Sequence, residues 1–341
     1  MPGLGYIYYS AGRCFWRYWR HKDVNPRTLT ASHEAGKNRR RGHLRNFMKP
    51  NNTLDSELVA NEELFADSFF QQFTLRKNKQ PLQLNESISK DYQFPTFYGN
   101  VTCAIGVFLC DYRQAQQLLP HPKMKPVAMP RGRALVTFSC YEYQNVMGIA
   151  PYNEIAMTIP VMVDPAINIP VLPMVMDGFS KFGYYVFHMP VTSLENRIRG
   201  NKIWGLPKVV DTVEIKVEDG ISKTRATDEL GNSYFSLAVP TQGKPTHFDV
   251  RSNLYSRLGQ ELLQSPTQFK GDFNVNKYMD RLWKTGGSDP GVLQIGAGPY
   301  GDMLRKLKIE PRPFQFRYAH HMNACFDLPN EDYRAPFTFT D

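Results

Sequence analysis

A mainly β fold with flanking helices, of the α+β class, is what this 341-residue chain predicts. Three observations carry that expectation. Apolar, partly β-branched runs recur at short intervals from Val101 to Val239, turn-forming dipeptides stand between them, and few segments of helical periodicity intervene. Many strands with few helices between them point to an antiparallel barrel or sandwich and away from a parallel sheet. With 42% hydrophobic and 13% aromatic residues, the chain can bury a large core in one large or two moderate domains.

The elements follow in chain order. Residues 1–50 hold eight arginines and three lysines against Asp23 and Glu34, which is the entire formal net charge of +9. Including Arg39-Arg40-Arg41 and lacking sustained periodicity, they read as a basic, poorly ordered extension, with a mitochondrial presequence as the other reading of an Arg-rich, acid-poor start. The rest of the chain balances at 30 basic and 30 acidic side chains. The body therefore offers no electrostatic case for a polyanion, and no nucleic-acid partner is expected. From Leu54 to Phe73, apolar residues near helical spacing follow acids at Asp55, Glu57, Glu62 and Glu63, which predicts an amphipathic helix. Arg76 to Gln93 turns polar and reads as a linker, so residues 51–93 form a helix-and-linker segment before a main domain at 94–341.

In that domain Val101 to Cys110 predicts a buried strand, and Tyr112 to Leu119 a short helix stopped by Pro120. Strands are then expected over Ala134 to Tyr143, Asn153 to Val163, Tyr184 to Pro190, Val209 to Val217, Ser222 to Ala226 and Tyr234 to Val239, with hairpin chemistry at Asp219-Gly220 and Leu230-Gly231-Asn232. The tail predicts a helix around Leu254 to Leu263, a strand at Val292 to Ile295, a Gly296-Ala297-Gly298 turn into a helix from Tyr300 to Leu307, and a closing strand from Phe314 to Phe326. The five cysteines (14, 103, 110, 140, 325) are odd in number and contain no C-x-x-C pair, which argues against a disulfide framework and a structural zinc site. No run approaches the roughly 18 apolar residues of a membrane span. These features predict a cytoplasmic protein, mitochondrial if the extension is a presequence, with no membrane partner.

Two residues stand out chemically. Lys208 sits in Gly200-Asn-Lys-Ile-Trp-Gly-Leu-Pro-Lys-Val-Val210, behind a proline and among apolar side chains. An ammonium group that loses hydration is disfavoured, so its pKa falls from about 10.4 toward neutrality and the amine becomes a nucleophile. A lysine stem covering apolar surface while its head reaches water is the plainer alternative. Glu154 lies on a strand of otherwise uncharged residues, sharing a face with Tyr152, Ala156 and Thr158, while Ile155, Met157 and Ile159 point the other way. One acid among small and polar neighbours reads as a cavity wall.

Together these motifs resemble the acetoacetate decarboxylase family. The matching pieces are Tyr152-Asn-Glu154, Ile159-Pro-Val161, Gly200 through Pro207-Lys208, and Gly298-Pro-Tyr-Gly-Asp-Met-Leu-Arg305, within residues 94 to 326. The resemblance implies a cone-shaped antiparallel β-barrel, a homo-oligomer, a small-molecule keto acid substrate and no cofactor or metal. It implies Lys208 as the Schiff-base nucleophile and Glu154 as its acid/base partner in decarboxylating an acetoacetate-like β-keto acid. Acetoacetate decarboxylase is itself the standard example of a lysine activated by its surroundings, and that known case is applied to Lys208. Tyr152, Met157 and Trp204 are taken as the pocket wall.

Three positions depart from the family pattern: Val209 replaces a second lysine, Val101 an arginine on the first barrel strand, and Ser139 a second glutamate. With Val209 beside it, Lys208 must owe its activation mainly to desolvation. Lysine and one acid suit Schiff-base chemistry in general, including aldolase and dehydratase reactions on larger keto acids; a non-catalytic small-molecule-binding barrel is the further alternative. Arg133 and Arg197 are candidates to receive a substrate carboxylate, although surface positions are the commoner fate. His320 and His321, adjacent on a strand, are expected to face opposite ways and not to share a metal, and His188 is read as a core histidine. Met157, Met176, Met189 and Trp204 are read as core or pocket-shaping residues and not as a cofactor site.

Overall fold

The computed structural model describes residues 50–165, 168, 170–171, 181–287 and 289–331. Apart from Pro50, the basic extension lies outside the described residues, as do Cys14 and Met176. Four two-residue strands come first: β1 (Arg76–Lys77), β2 (Leu82–Gln83), β3 (Ser89–Lys90) and β4 (Gln93–Phe94). The long β5 (Thr96–Asp111) follows, then β6 (Met124–Pro126), β7 (Arg133–Val146), β8 (Tyr152–Val163) and β9 (Phe182–Val191). After them come β10 (Lys208–Val210), β11 (Thr212–Glu218), β12 (Ile221–Thr227), β13 (Ser233–Pro240), β14 (Lys244–Leu258), β15 (Glu261–Lys277), β16 (Leu293–Ile295) and β17 (Pro313–Phe326). Among the described residues the α-helices are α1 (Ser68–Gln71), α2 (Tyr112–Leu118), α3 (Leu194–Trp204) and α4 (Pro299–Lys306).

Seven strands close on themselves in the order β5, β7, β8, β9, β14, β15, β17 and back to β5. The mainly β barrel predicted from the strand series is thus the observed fold. All contacts around the ring are antiparallel except the short parallel pairing of β9 with β14. A four-stranded sheet, β11-β12-β13-β16, packs on the outside of this barrel. Between them lies the main core, where Phe138, Ile155, Met157 and Ile159 from the barrel meet Val213, Ala226, Phe235 and Leu237 from the sheet. Strand β8 is buried along its whole length because its outer face meets this sheet and its inner face lines the barrel, which accounts for a sequence with no charge besides Glu154.

Two expectations about helices fail, and one helix is present that the sequence reading does not include. The amphipathic helix predicted over Leu54 to Phe73 is a 3₁₀ turn at Glu62–Phe65 and the four-residue α1. Tertiary pairing overrides its periodicity: Asn51 and Val59 form isolated bridges to Ser193 and Gly148, and the Asn61 side chain clips the Val146–Gly148 turn. Phe65, Phe69 and Phe70 are still buried, against Phe97, Met147 and Cys325. The helix predicted around Leu254 to Leu263 is the β14–β15 hairpin. Gly259 takes φ +58 in the two-residue turn between Leu258 and Glu261, a left-handed conformation that suits glycine and a hairpin and not a helix interior. Conversely, α3 was not anticipated, although its caps are regular. The Ser193 hydroxyl accepts from Asn196 N at one end, and Gly205 closes the other at φ +59.

Candidate active site

Helix α3, its glycine cap and β10 form one unit that delivers Lys208 to the barrel. The Gly205 amide donates to Asn201 O and the Leu206 amide to Gly200 O, so the chain reverses tightly after Trp204. A Cβ at Gly205 would meet the Arg257 carbonyl carbon at 2.7 Å, so the cap requires glycine for space as well as for φ. Lys208 then pairs in parallel with Met189, next to the register position where Val191 faces Glu154. The lysine stem runs along the bare backbone of Gly200, whose added Cβ would lie 2.7 Å from Lys208 Cε. Both glycines of the G-x-x-x-x-G-x-P-K stretch thus serve the placement of one amine.

That amine is 6% exposed and donates to Glu154 Oε2 at 2.6 Å and to Asn196 Oδ1. Glu154 is itself 5% exposed and accepts at Oε1 from the Tyr143 hydroxyl at 3.3 Å. Burial is the main influence on Lys208 and lowers its pKa from the usual lysine value; the Glu154 carboxylate opposes this, and the Arg199 guanidinium lowers it further. This arginine is 1% exposed, lies 4.3 Å from the Tyr92 ring centroid and donates to Thr96 Oγ1 at 3.1 Å. Burial raises the phenols of Tyr141, Tyr143 and Tyr152 well above the usual tyrosine value, so they remain protonated beside Glu154.

Lys208 and Glu154 line a mostly apolar cavity of about 180 Å³ inside the barrel. The inward face of β8 contributes Glu154, Ala156, Thr158 and Pro160 in strict alternation. None of the three side chains taken as pocket wall lines the cavity; Tyr152 is buried in the neighbouring core, with its ring centroid 5.8 Å from Lys208 Nζ. Met157 points out of the barrel into the core under the four-stranded sheet, as the alternation of β8 requires. Trp204 stacks on Phe326 at 4.8 Å and donates to Asp327 O, sealing α3 against the tail of β17.

The remaining candidates are placed as follows. Ser139 lines the cavity, whereas Val101 is fully buried and does not. Arg133 is buried away from the cavity, held by the carbonyls of Pro130, Arg281 and Leu282 and by Glu310 at 3.1 Å, and Arg197 is exposed on α3. His188 is a core residue: it sits 3.3 Å from the Tyr234 hydroxyl and against the Tyr300 ring, and burial lowers its pKa to about 4. His320 and His321 do not face opposite ways. The β17–β5 register shifts between Ala319 and Met322, and the two rings lie 4.1 Å apart. Among the described residues no group of three or more His, Cys, Asp or Glu is arranged to hold a metal, and no helix is long and apolar enough to cross a membrane.

Several polar residues of the site escaped sequence reasoning, Tyr143 and Arg199 as well as Asn196 and Arg317. Asn196 was hidden because α3 was not foreseen, although Ser193-Leu-Glu-Asn reads as a helix start. Arg317 lines the cavity from β17, flanked in sequence by Phe316 and Tyr318, which are buried. A lone charge in an apolar strand is the signal that identified Glu154, and it was available here too.

Residues 79–236 match the acetoacetate decarboxylase (ADC) family, which upholds the resemblance carried by the Glu154 and Lys208 motifs; the late Gly298 to Arg305 motif lies outside the matched span. No curated protein sequence matches the chain. Similar solved structures include acetoacetate decarboxylase from Legionella pneumophila, with 14% identity, coverage of 69% of this chain and 86% of that one, and a TM-score of 0.48. An acetoacetate decarboxylase-like enzyme from Sphingomonas wittichii has 13% identity, covers 69% and 92% of the two chains, and has a TM-score of 0.41. The enduracididine biosynthesis enzyme MppR, complexed with pyruvate, has 12% identity, coverage of 73% and 95%, and a TM-score of 0.46.

Proposed function

We propose that this chain, matched to the acetoacetate decarboxylase family, is a Schiff-base-forming lyase that acts on a keto acid through Lys208 and decarboxylates an acetoacetate-like β-keto acid. One observation supports the reading above the others: a buried lysine amine lies 2.6 Å from a buried carboxylate on the wall of the barrel cavity, with burial loosening its proton. Glu154 takes the proton from Lys208, and the neutral amine attacks the ketone carbon, forming the C–N bond of a carbinolamine. Loss of the hydroxyl as water, with a proton returned from Glu154, leaves a protonated imine. The bond to the carboxylate carbon then breaks, its electron pair moves through the adjacent carbon to the iminium nitrogen, and carbon dioxide departs. The resulting enamine takes a proton on carbon, and water hydrolyses the imine to release the ketone and restore the amine.

Asn196 and Tyr143 are positioning residues in this scheme. Asn196 Oδ1 fixes the amine, and Tyr143 holds the second oxygen of Glu154. The same proposal takes residues 94–341 as the catalytic barrel domain and the protein as a cytoplasmic homo-oligomer, which sedimentation of the full chain tests. The chemistry is tested by incubating the protein with acetoacetate or pyruvate, reducing with borohydride and mapping the adduct. A stable adduct on Lys208 is the expected result. No adduct with any short keto acid, or one on another lysine, overturns the mechanism.

A further inference from the structure

The cavity holds more positive than negative charge. Among the described residues Glu154 is the single acid lining it, against Lys208 and Arg317, and Glu154 is already committed to Lys208. Arg317 donates through Nε to Gln315 Oε1 at 2.9 Å, and its guanidinium carbon lies 5.0 Å from the Phe248 ring centroid. Among the described residues it has no carboxylate partner, and its Nη groups donate to none of them. Burial lowers its pKa, but an arginine stays charged, so a half-buried cation is held facing the cavity.

The barrel register places this cation. Glu154, Tyr141, Cys103 and Ala319 face one another across β8, β7, β5 and β17. One inward step along the same strands is the row Ala156, Ser139, Ile105 and Arg317. Arg317 is three strands around a seven-stranded ring from Glu154, on the opposite wall. With strands about 4.8 Å apart, the backbones that carry Glu154 and Arg317 stand roughly 10 Å apart across the ring, so the Lys208–Glu154 pair and Arg317 enter the cavity from opposite sides and address opposite ends of a ligand. A guanidinium with one donor used and its planar fork free is matched to a carboxylate.

We infer that Arg317 is the specificity-determining anchor of this cavity: it binds a carboxylate remote from the carbonyl that Lys208 attacks, so the preferred ligand is a keto acid with its two functional groups at opposite ends. This deepens the proposed function and rests on it only for the carbonyl end. In a decarboxylation the anchored carboxylate is the one retained, since the guanidinium stabilises its charge, and carbon dioxide leaves from a second carboxylate nearer Lys208.

The test has two arms on the full chain. In the first, calorimetry measures binding of hexanoate and octanoate and of the corresponding amides, none of which can form an imine. The wild type is expected to prefer the carboxylates by about tenfold or more, Arg317→Gln to abolish that preference, and Arg317→Lys to keep part of it. Equal binding of acid and amide, no binding of either acid, or a preference that survives Arg317→Gln overturns the inference. In the second arm, borohydride trapping compares 5-oxohexanoate with 2-hexanone. Faster trapping of the acid in the wild type only is the expected result. Equal trapping of both ketones at Lys208 overturns the anchor and leaves the Schiff base standing. A carboxylate preference without any adduct at Lys208 upholds the anchor and removes the Schiff-base reading.

Discussion

Among the described residues two lysines are buried against glutamates, and helix α3 touches both pairs through successive residues. Lys90 lies 3.0 Å from each carboxylate oxygen of Glu195, which also accepts from the Tyr92 hydroxyl at 2.5 Å. Lys208 meets one oxygen of Glu154 at 2.6 Å and the amide oxygen of Asn196. The side chains are equally buried, at 2% and 9% exposure in the first pair and 5% and 6% in the second. Burial and ion pairing therefore do not distinguish them. The difference is that Lys208 borders the cavity and Lys90 does not, so only Lys208 has space beside its nitrogen for a carbonyl carbon. A buried lysine–glutamate pair becomes a candidate for chemistry when a cavity adjoins it; otherwise, as at Lys90, it ties a strand to a helix.

The sharpest way to break this comparison is to remove each lysine in turn. Lys208→Met is expected to abolish the borohydride adduct entirely. Lys90→Met is expected to leave adduct formation per folded molecule unchanged while lowering stability by about 3–5 kcal/mol, because Glu195 is left buried without its partner. Denaturation midpoints and trapping yields measured on both variants check this; loss of the adduct in both would erase the distinction. The wild type also carries a pH signature. The folded-state pKa of Lys208 is depressed, so the unfolded chain holds this proton more tightly, and stability should rise with pH from the folded value up to about 10.4. That slope should vanish in Lys208→Met.

Glu154→Gln comes next in size. Losing the acid/base partner should slow adduct formation by about 10²–10⁴-fold. Because the carboxylate holds the lysine proton on, its removal should shift the pH midpoint of trapping downward. An unshifted midpoint in a pH–rate series would show that the two groups are not coupled. Gly200→Ala pushes a methyl against the Lys208 stem and should cost on the order of 10²-fold through misplacement of the amine, with α3 intact by circular dichroism. The smallest effect belongs to Met157→Leu. This volume-conserving change in the outer core should cost less than about 1.5 kcal/mol and leave trapping unaltered.

Much of the barrel was legible in the chain because period-two alternation and turn dipeptides are local signals. Strands β5, β7, β8, β9, β12, β13 and β17 extend the predicted runs by a few residues at their ends. The errors came where two local codes compete. Leu254, Leu258 and Leu262 fit a helical spacing, but Gly259 sits between them and β14 has β9 and β15 to pair with. Phe65, Phe69 and Phe70 also fit a helix, yet the segment before them is drawn into bridges with Ser193 and Gly148. Within the site, Glu154 and Lys208 could be read as exceptional because each is a charge in an apolar setting. Asn196 is an ordinary helix residue until the amine rests on it.

The sequence alone therefore determined the fold class, the two charges set among apolar residues, and the family resemblance that residues 79–236 bear out. Those follow from side-chain periodicity and motif spacing, which act over a few residues. Only the tertiary structure decided that an amine and a carboxylate 54 residues apart meet at 2.6 Å, that Met157 and Trp204 turn away from the cavity, and that Arg317 faces into it from the opposite wall. The physical reason is closure. Which inward positions share a space is set by how seven strands register around a ring, and no local property of any one strand carries that information.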